Sequence, residues 1–129
     1  MGFFPTRPAR SATTKQLGDA GEDAALRYLL GQGLTLVTRN YRTPGRGGGE
    51  IDLIMRTRDG TLVFVEVRKR ASSRHGGGAA SVGAVKQRRI VLAARHYLLR
   101  VAHMPPCRFD VVVLDGEQIE WLQAAFDAS

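Results

Sequence analysis

Two apolar runs separated by a tight turn restrict this chain more than any other stretch; they lie within GGGEIDLIMRTRDGTLVFVEVRKR, from Gly47 to Arg70. Leu53, Ile54 and Met55 make the first run, and Leu62, Val63, Phe64, Val65 and Val67 the second. Asp59-Gly60 between them is a strong short-range hairpin signal. Both strands are apolar on both faces, so the hairpin belongs inside a sheet with layers above and below it. Three carboxylates interrupt that background: Glu50 and Asp52 open the first strand, and Glu66 closes the second. A buried carboxylate is costly unless a cation or hydrogen-bond donors answer it. Positive charge therefore belongs between these strands.

Side chains alternate along a strand, so Glu50, Asp52 and Ile54 share a face, as do Phe64, Glu66 and Arg68. The turn decides whether the two faces coincide. A two-residue Asp59-Gly60 loop pairs Leu53 with Glu66 and sends Asp52 to the other side. A three-residue loop, Asp59 to Thr61, sets Asp52 opposite Arg68 and diagonal to Glu66, within reach of a shared cation. A single bulge has the same effect. The sequence alone leaves both open; we expect the second, because it collects the carboxylates beside one basic group.

Around the hairpin, 129 residues predict one domain with room for a core. Residues 1–13 form an expected flexible arm, and the domain spans 14–123. A helix from about Thr14 to Leu30 carries Gly18 and Gly21 in its apolar stripe, which allows close approach to a sheet. Glu22 sits beside that stripe. Gly31 and Gly33 end the helix, and Leu34 to Tyr41 reads as a strand. Residues 71–81, rich in Gly and basic, form an expected mobile loop. Ser81 is a good N-cap for a second helix from Val82 to about Val101, with Lys86 within its apolar stripe and Gln87 at the edge. Arg108 to Leu114 is a strand bearing one acid, Asp110; Gln118 to Leu122 makes a short last strand, and 124–129 a frayed tail. The order α-β-β-β-α-β-β implies an α/β fold, a central mixed sheet flanked by helices.

The charge of +7 is uneven: all nineteen Lys and Arg lie at or before Arg108, against seven acids there. A basic field of this kind suits a polyanion. Cys107 is the one cysteine, which excludes an internal disulfide and fits a reducing cytoplasm. No apolar run approaches the ~20 residues of a membrane span. Asp and Glu oxygens with vacant water positions suit Mg²⁺ or Mn²⁺, whereas His and Cys are too few and scattered for zinc.

GEIDLI followed by VFVEVR, framed by GxxGExxAxxYL upstream and by VxxxKQ and RFDVVVL downstream, resembles the YraN family over about residues 15–122. That family is placed in the restriction-endonuclease-like PD-(D/E)xK superfamily and is distantly similar to archaeal Holliday junction resolvases. The resemblance implies a metal-dependent DNA endonuclease, structure-selective on branched or recombining DNA. It implies Asp52 and Glu66, joined by Glu50, as metal ligands, Glu22 as the helix acid, and Gln87 as a site-facing polar group. It departs from the superfamily where a lysine is expected two residues after the second acid and Arg68 stands. Arg stays protonated, so Arg68 can orient a phosphate but cannot act as a base. Lys69 points to the other face by strand alternation, so Lys86 is the expected amine. Arg42, Arg46, Arg70, Arg74 and Arg89 are the expected DNA contacts. A homodimer would suit a junction's two-fold symmetry, and recombination or branch-migration proteins are possible partners. The alternative is a catalytically silent DNA-binding module that keeps the fold.

Overall fold

A computed structural model describes residues 14–70 and 82–128. Its elements are α1 (Thr14–Gly31), β1 (Thr35–Arg42), β2 (Glu50–Arg56), β3 (Leu62–Lys69), α2 (Ala84–Leu98), β4 (Cys107–Asp115) and β5 (Gln118–Phe126). The expected arm at 1–13 and the loop at 71–81, with Arg74 and Ser81, lie outside the described residues. The five strands form one sheet in chain order, β1 to β5. Only β3 and β4 run parallel, with α2 as their crossover; every other neighbouring pair is antiparallel. This is the mixed, helix-flanked sheet that the element order implies.

Alternation along β2 and β3 feeds two cores at once. Leu53, Met55, Val63 and Val65 pack with Ala25 and Leu29 of α1. Ile54, Leu62 and Phe64 pack with Ile90, Ala93, Ala94 and Tyr97 of α2. Two glycines set how closely the helices approach. A methyl at Gly21 would come 3.1 Å from Leu114 Cδ1, so α1 lies tight against β4. At Gly49 a methyl would overlap the Arg89 carbonyl oxygen and the Ala93 nitrogen, so the chain entering β2 touches the backbone of α2.

The hairpin turn differs from expectation by one residue. Thr57 and Thr61 close it, with Thr57 N donating to Thr61 O at 3.0 Å, so the loop is Arg58 to Gly60. Gly60 N donates to Thr57 O, and Gly60 takes a φ of +92°, the left-handed position of a three-residue hairpin loop. The hydroxyls of Thr57 and Thr61 both hold the Asp59 carboxylate, which lowers its pKa. Arg56 therefore faces Leu62 and Leu53 faces Val65. Continued one step, that register sets Asp52 across from Glu66 itself, not across from Arg68.

Two further boundaries differ. The second helix begins at Ala84, behind an extended Gly83 with no side-chain cap, because Val82 is drawn into the α2-side core. The last strand continues to Phe126, past the expected end at Leu122. Asp110 explains that extension. It is fully buried and accepts from Arg108 Nε at 2.9 Å, Arg108 NH2 at 3.0 Å, Trp121 Nε1 at 2.9 Å and Ala124 N at 2.9 Å. The bulge at Ala124, φ +52°, is thus tied to β4, and Phe126 stacks on Phe109 at 5.0 Å.

Asp110→Ala strands a partly buried guanidinium edge, an indole N–H and a backbone N–H. The expected loss is about 3 kcal/mol or more, seen as a lower urea midpoint with Trp121 fluorescence as the reporter. An unchanged midpoint would contradict this role for Asp110.

Candidate functional site

The β2–β3 ladder pairs Leu53 with Val65, and at the next step toward the chain's entry into β2 a side chain takes over from the backbone. The Val67 N–H donates to Asp52 Oδ2 at 2.8 Å. A carboxylate held between two strands in this way keeps them apart, and the gap opens into a cavity. The cavity is about 190 Å³, lined by Gly21, Glu22, Asp52, Glu66, Val67, Lys69, Lys86 and Leu114. Larger clefts, about 420 Å³ beside the hairpin turn and about 510 Å³ between α2 and Asp127, hold one carboxylate each. The carboxyl chemistry is concentrated in the smaller one.

Glu66 is almost fully buried, and its Oε2 lies 3.4 Å from Lys86 Nζ. Its Oε1 is buried without a hydrogen-bond partner. Burial first, then the neighbouring Asp52 charge, pushes the Glu66 pKa up to about 8, with Lys86 offsetting only part. A hydrogen bond with Asp52 favours the protonated form further. The protonated form of Glu66 is therefore favoured when no cation is present.

Glu22 enters from α1 and is oriented by β1. Arg39 lies 3.7 Å from Glu22 Oε1 and 2.8 Å from Asp23 Oδ1. With its amide nitrogen turned to donate, Asn40 reaches the two Glu22 oxygens at 3.0 and 3.3 Å. Arg39 and Asn40 both serve the α1 side, while Tyr41 packs on Tyr97 of α2. Strand alternation would put 39 and 41 on one face. The φ of +53° at Asn40 breaks that alternation, a conformation Asn tolerates better than most residues.

Of the residues expected here, the structure brings together Glu22, Asp52, Glu66 and Lys86. It does not bring in Glu50, which pairs with Arg42 at 3.4 Å across the β1–β2 edge. Gln87 is also elsewhere: its Nε2 donates to Val82 O at 2.7 Å, completing the start of α2. Arg68 does not line the cavity, whereas Lys69 does, contrary to strict alternation from Glu66. The cavity lies where β2 and β3 have separated, so it can be reached from the α1 side, to which Lys69 points. Among the expected DNA contacts, Arg46 is exposed, Arg89 Nε donates to Gly48 O at 3.1 Å, and Arg70 lies 3.6 Å from Asp115. Asn40 and Lys69 were not among the expected site residues. The one available signal for Asn40 was an Asn, a residue at home in left-handed backbone, within a strand.

The cavity tests well against a hard divalent cation. Two acidic side chains and a buried, partnerless oxygen suit Mg²⁺ or Mn²⁺, which binds through one or two carboxylates and completes its shell with water and phosphate oxygens. Among the described residues no three His, Cys, Asp or Glu side chains group closely enough to hold a metal ion by themselves, so an ion here would lean on water and phosphate oxygens.

The chain matches the Uncharacterised protein family UPF0102 over residues 21–114. A UPF0102 protein of Methylibium petroleiphilum is 68% identical over 120 residues, covering 91% of this chain and 98% of the relative. One from Paracidovorax citrulli is 65% identical over 124 residues, covering 96% and 92%. One from Acidovorax sp. is 61% identical over 132 residues, covering both chains fully. No helix among the described residues is long and apolar enough to cross a membrane.

The raised Glu66 pKa makes stability depend on pH. The folded chain holds the Glu66 proton up to about 8, whereas an ordinary Glu releases it near 4.5. Between those values the folded state binds more protons than the unfolded state, so stability falls as pH rises. In chelator, the thermal midpoint should drop between about pH 5 and pH 8, and Glu66→Gln should flatten that slope. Equal slopes in the two proteins would show that Glu66 ionises normally.

Proposed function

The chain belongs to the UPF0102 family, and from that footing and the cavity's chemistry we propose that it is a divalent-metal-dependent DNA endonuclease acting on branched or recombining DNA. The observation that carries this reading is the meeting of Asp52 and Glu66 at the parted strands, with Lys86 and Lys69 on the same cavity. The resemblance of its GEIDLI and VFVEVR segments to a nuclease superfamily points the same way. So does the excess of basic residues, which suits a polyanionic substrate.

In this reading Asp52 and Glu66 would hold Mg²⁺ or Mn²⁺. When bound, the ion polarises a phosphodiester and lowers the pKa of a coordinated water. Everything else falls to the chain. Asp52 is held in place by the Val67 N–H, so it would lose little freedom on binding an ion. Glu66 keeps the proton until a cation replaces it. The Lys86 ammonium, about half exposed, stands beside Glu66 where it can also contact a phosphate oxygen. Lys69 supplies a second ammonium on the same cavity, taking the part that Arg68 does not fill from outside it. Glu22, held by Arg39 and Asn40, places a third carboxylate at the wall, where it can orient water.

A second reading has its own observation. Lys86 is already engaged with Glu66 at 3.4 Å, and the superfamily's lysine position holds Arg68. A DNA-binding module without catalysis would look this way, and binding without metal-dependent cutting would be its mark.

The test is purified protein with four-way junction, flap and linear DNA, in Mn²⁺ and in chelator. Cleavage should require the metal and vanish in Asp52→Asn. Lys86→Ala should slow it by about a hundredfold, as for loss of one charge-stabilising donor, and unchanged cleavage would reject the role of Lys86. Absence of cleavage by the wild-type protein on all three substrates would contradict the endonuclease reading.

A further inference from the structure

We propose that a DNA strand leaving the cavity lies along one flank of α2 and is gripped at the far end by Arg100; this rests on the nuclease reading and adds the path of its substrate. Lys86, Arg89 and His96 of α2, with Ala93 between, follow one another in steps of three and four on one side of the helix, and Arg100 continues the series in the turn just past its end. Their contacts confirm the alignment. Lys86 meets Glu66 of β3, Arg89 Nε donates to Gly48 O, and His96 and Arg100 both meet Tyr41 of β1. From Lys86 to Arg100 the helical rise gives about 21 Å, room for about six nucleotides of a strand.

The far end has the features of a phosphate grip. The Arg100 guanidinium carbon lies 5.3 Å from the Tyr41 ring centroid and 5.0 Å from that of Tyr97. Its NH2 donates to Tyr41 Oη at 3.2 Å, and Tyr41 Oη lies 2.5 Å from His96 Nδ1. Because the phenol oxygen accepts from Arg100, its O–H is assigned to donate to Nδ1, which leaves the His96 N–H on Nε2. Among the described residues, no ion pair joins Arg100 to a carboxylate. An arginine seated beside two rings, with most of its N–H fork unspent, is prepared for a bidentate oxyanion. The helix C-terminus opposes an anion with only about half a charge, and the full guanidinium charge exceeds it. Arg88 and Arg95 line a different cleft, beside Asp127, on the other flank.

The test titrates a labelled single strand of about 20 nucleotides, and the matching duplex, with the full chain in chelator at several salt concentrations. Arg100→Gln should weaken binding by about tenfold and make the log–log salt slope shallower by about one. Arg95→Gln should leave both unchanged, and Arg100→Lys should keep the slope. A thermal midpoint for each variant separates lost contact from lost fold; if Arg100→Gln unfolds, Arg100→Lys, which keeps the charge but loses the planar fork, should still bind more weakly than Arg95→Gln. If the wild-type chain binds DNA but the Arg100 and Arg95 variants behave alike, the α2 path falls and the nuclease reading stands. If the wild-type chain binds neither strand nor duplex, the α2 path falls, and cleavage of the junction and flap in Mn²⁺ decides the nuclease reading separately.

Discussion

The hydrogen bond from the Val67 N–H to the Asp52 carboxylate is the contact on which the site depends. It satisfies a partly buried backbone donor that the β2–β3 ladder would otherwise have to serve, so the strands can part without leaving that group bare. It also fixes a carboxylate at the point of parting, opposite the position of Glu66. Regular pairing to the end of both strands would leave no gap, and an apolar residue at 52 would leave the Val67 N–H unmet. The cavity follows from a side chain doing the work of a backbone carbonyl.

The second constraint is electrostatic. Two like charges about 4 Å apart repel by about 4 kcal/mol at an effective dielectric near 20, and burial adds to that cost. Lys86 is about half exposed, so its attraction for Glu66 is partly screened by water. The balance favours protonated Glu66, and the raised pKa is its expression. In the proposed reading a divalent cation in the same place would offset this repulsion, whereas a structural ion pair with Lys86 leaves it in place. The opposite case is Asp110. It is buried still more completely, but four donors answer it, and it serves only to pin β5 to β4.

The sequence made the sheet and its two helices legible because apolar periodicity and the Asp59-Gly60 turn agree with the tertiary fold. The carboxylate pair was legible for the same reason, as charge placed where only apolar residues would otherwise fit. The side of the sheet for Asp52 was inferred correctly, but from a loop placed one residue too late. The true register depends on Thr57 and Thr61 clasping Asp59, which no period reveals. Lys69 was assigned to the wrong place because alternation assumes paired strands, and these have separated. Gln87 and Glu50 were grouped with the site by spacing alone, yet each has a nearer partner, Val82 O and Arg42. Asn40 was hidden because its contribution lies in a backbone angle.

Calorimetric titration of Mn²⁺ into the full chain at neutral pH, beside Asp52→Asn, tests the central claim without relying on any choice of DNA substrate. The account predicts one ion per chain for the wild type and none for the variant, with both proteins folded. An ion bound equally well by the variant, or no ion bound by the wild type, would contradict it.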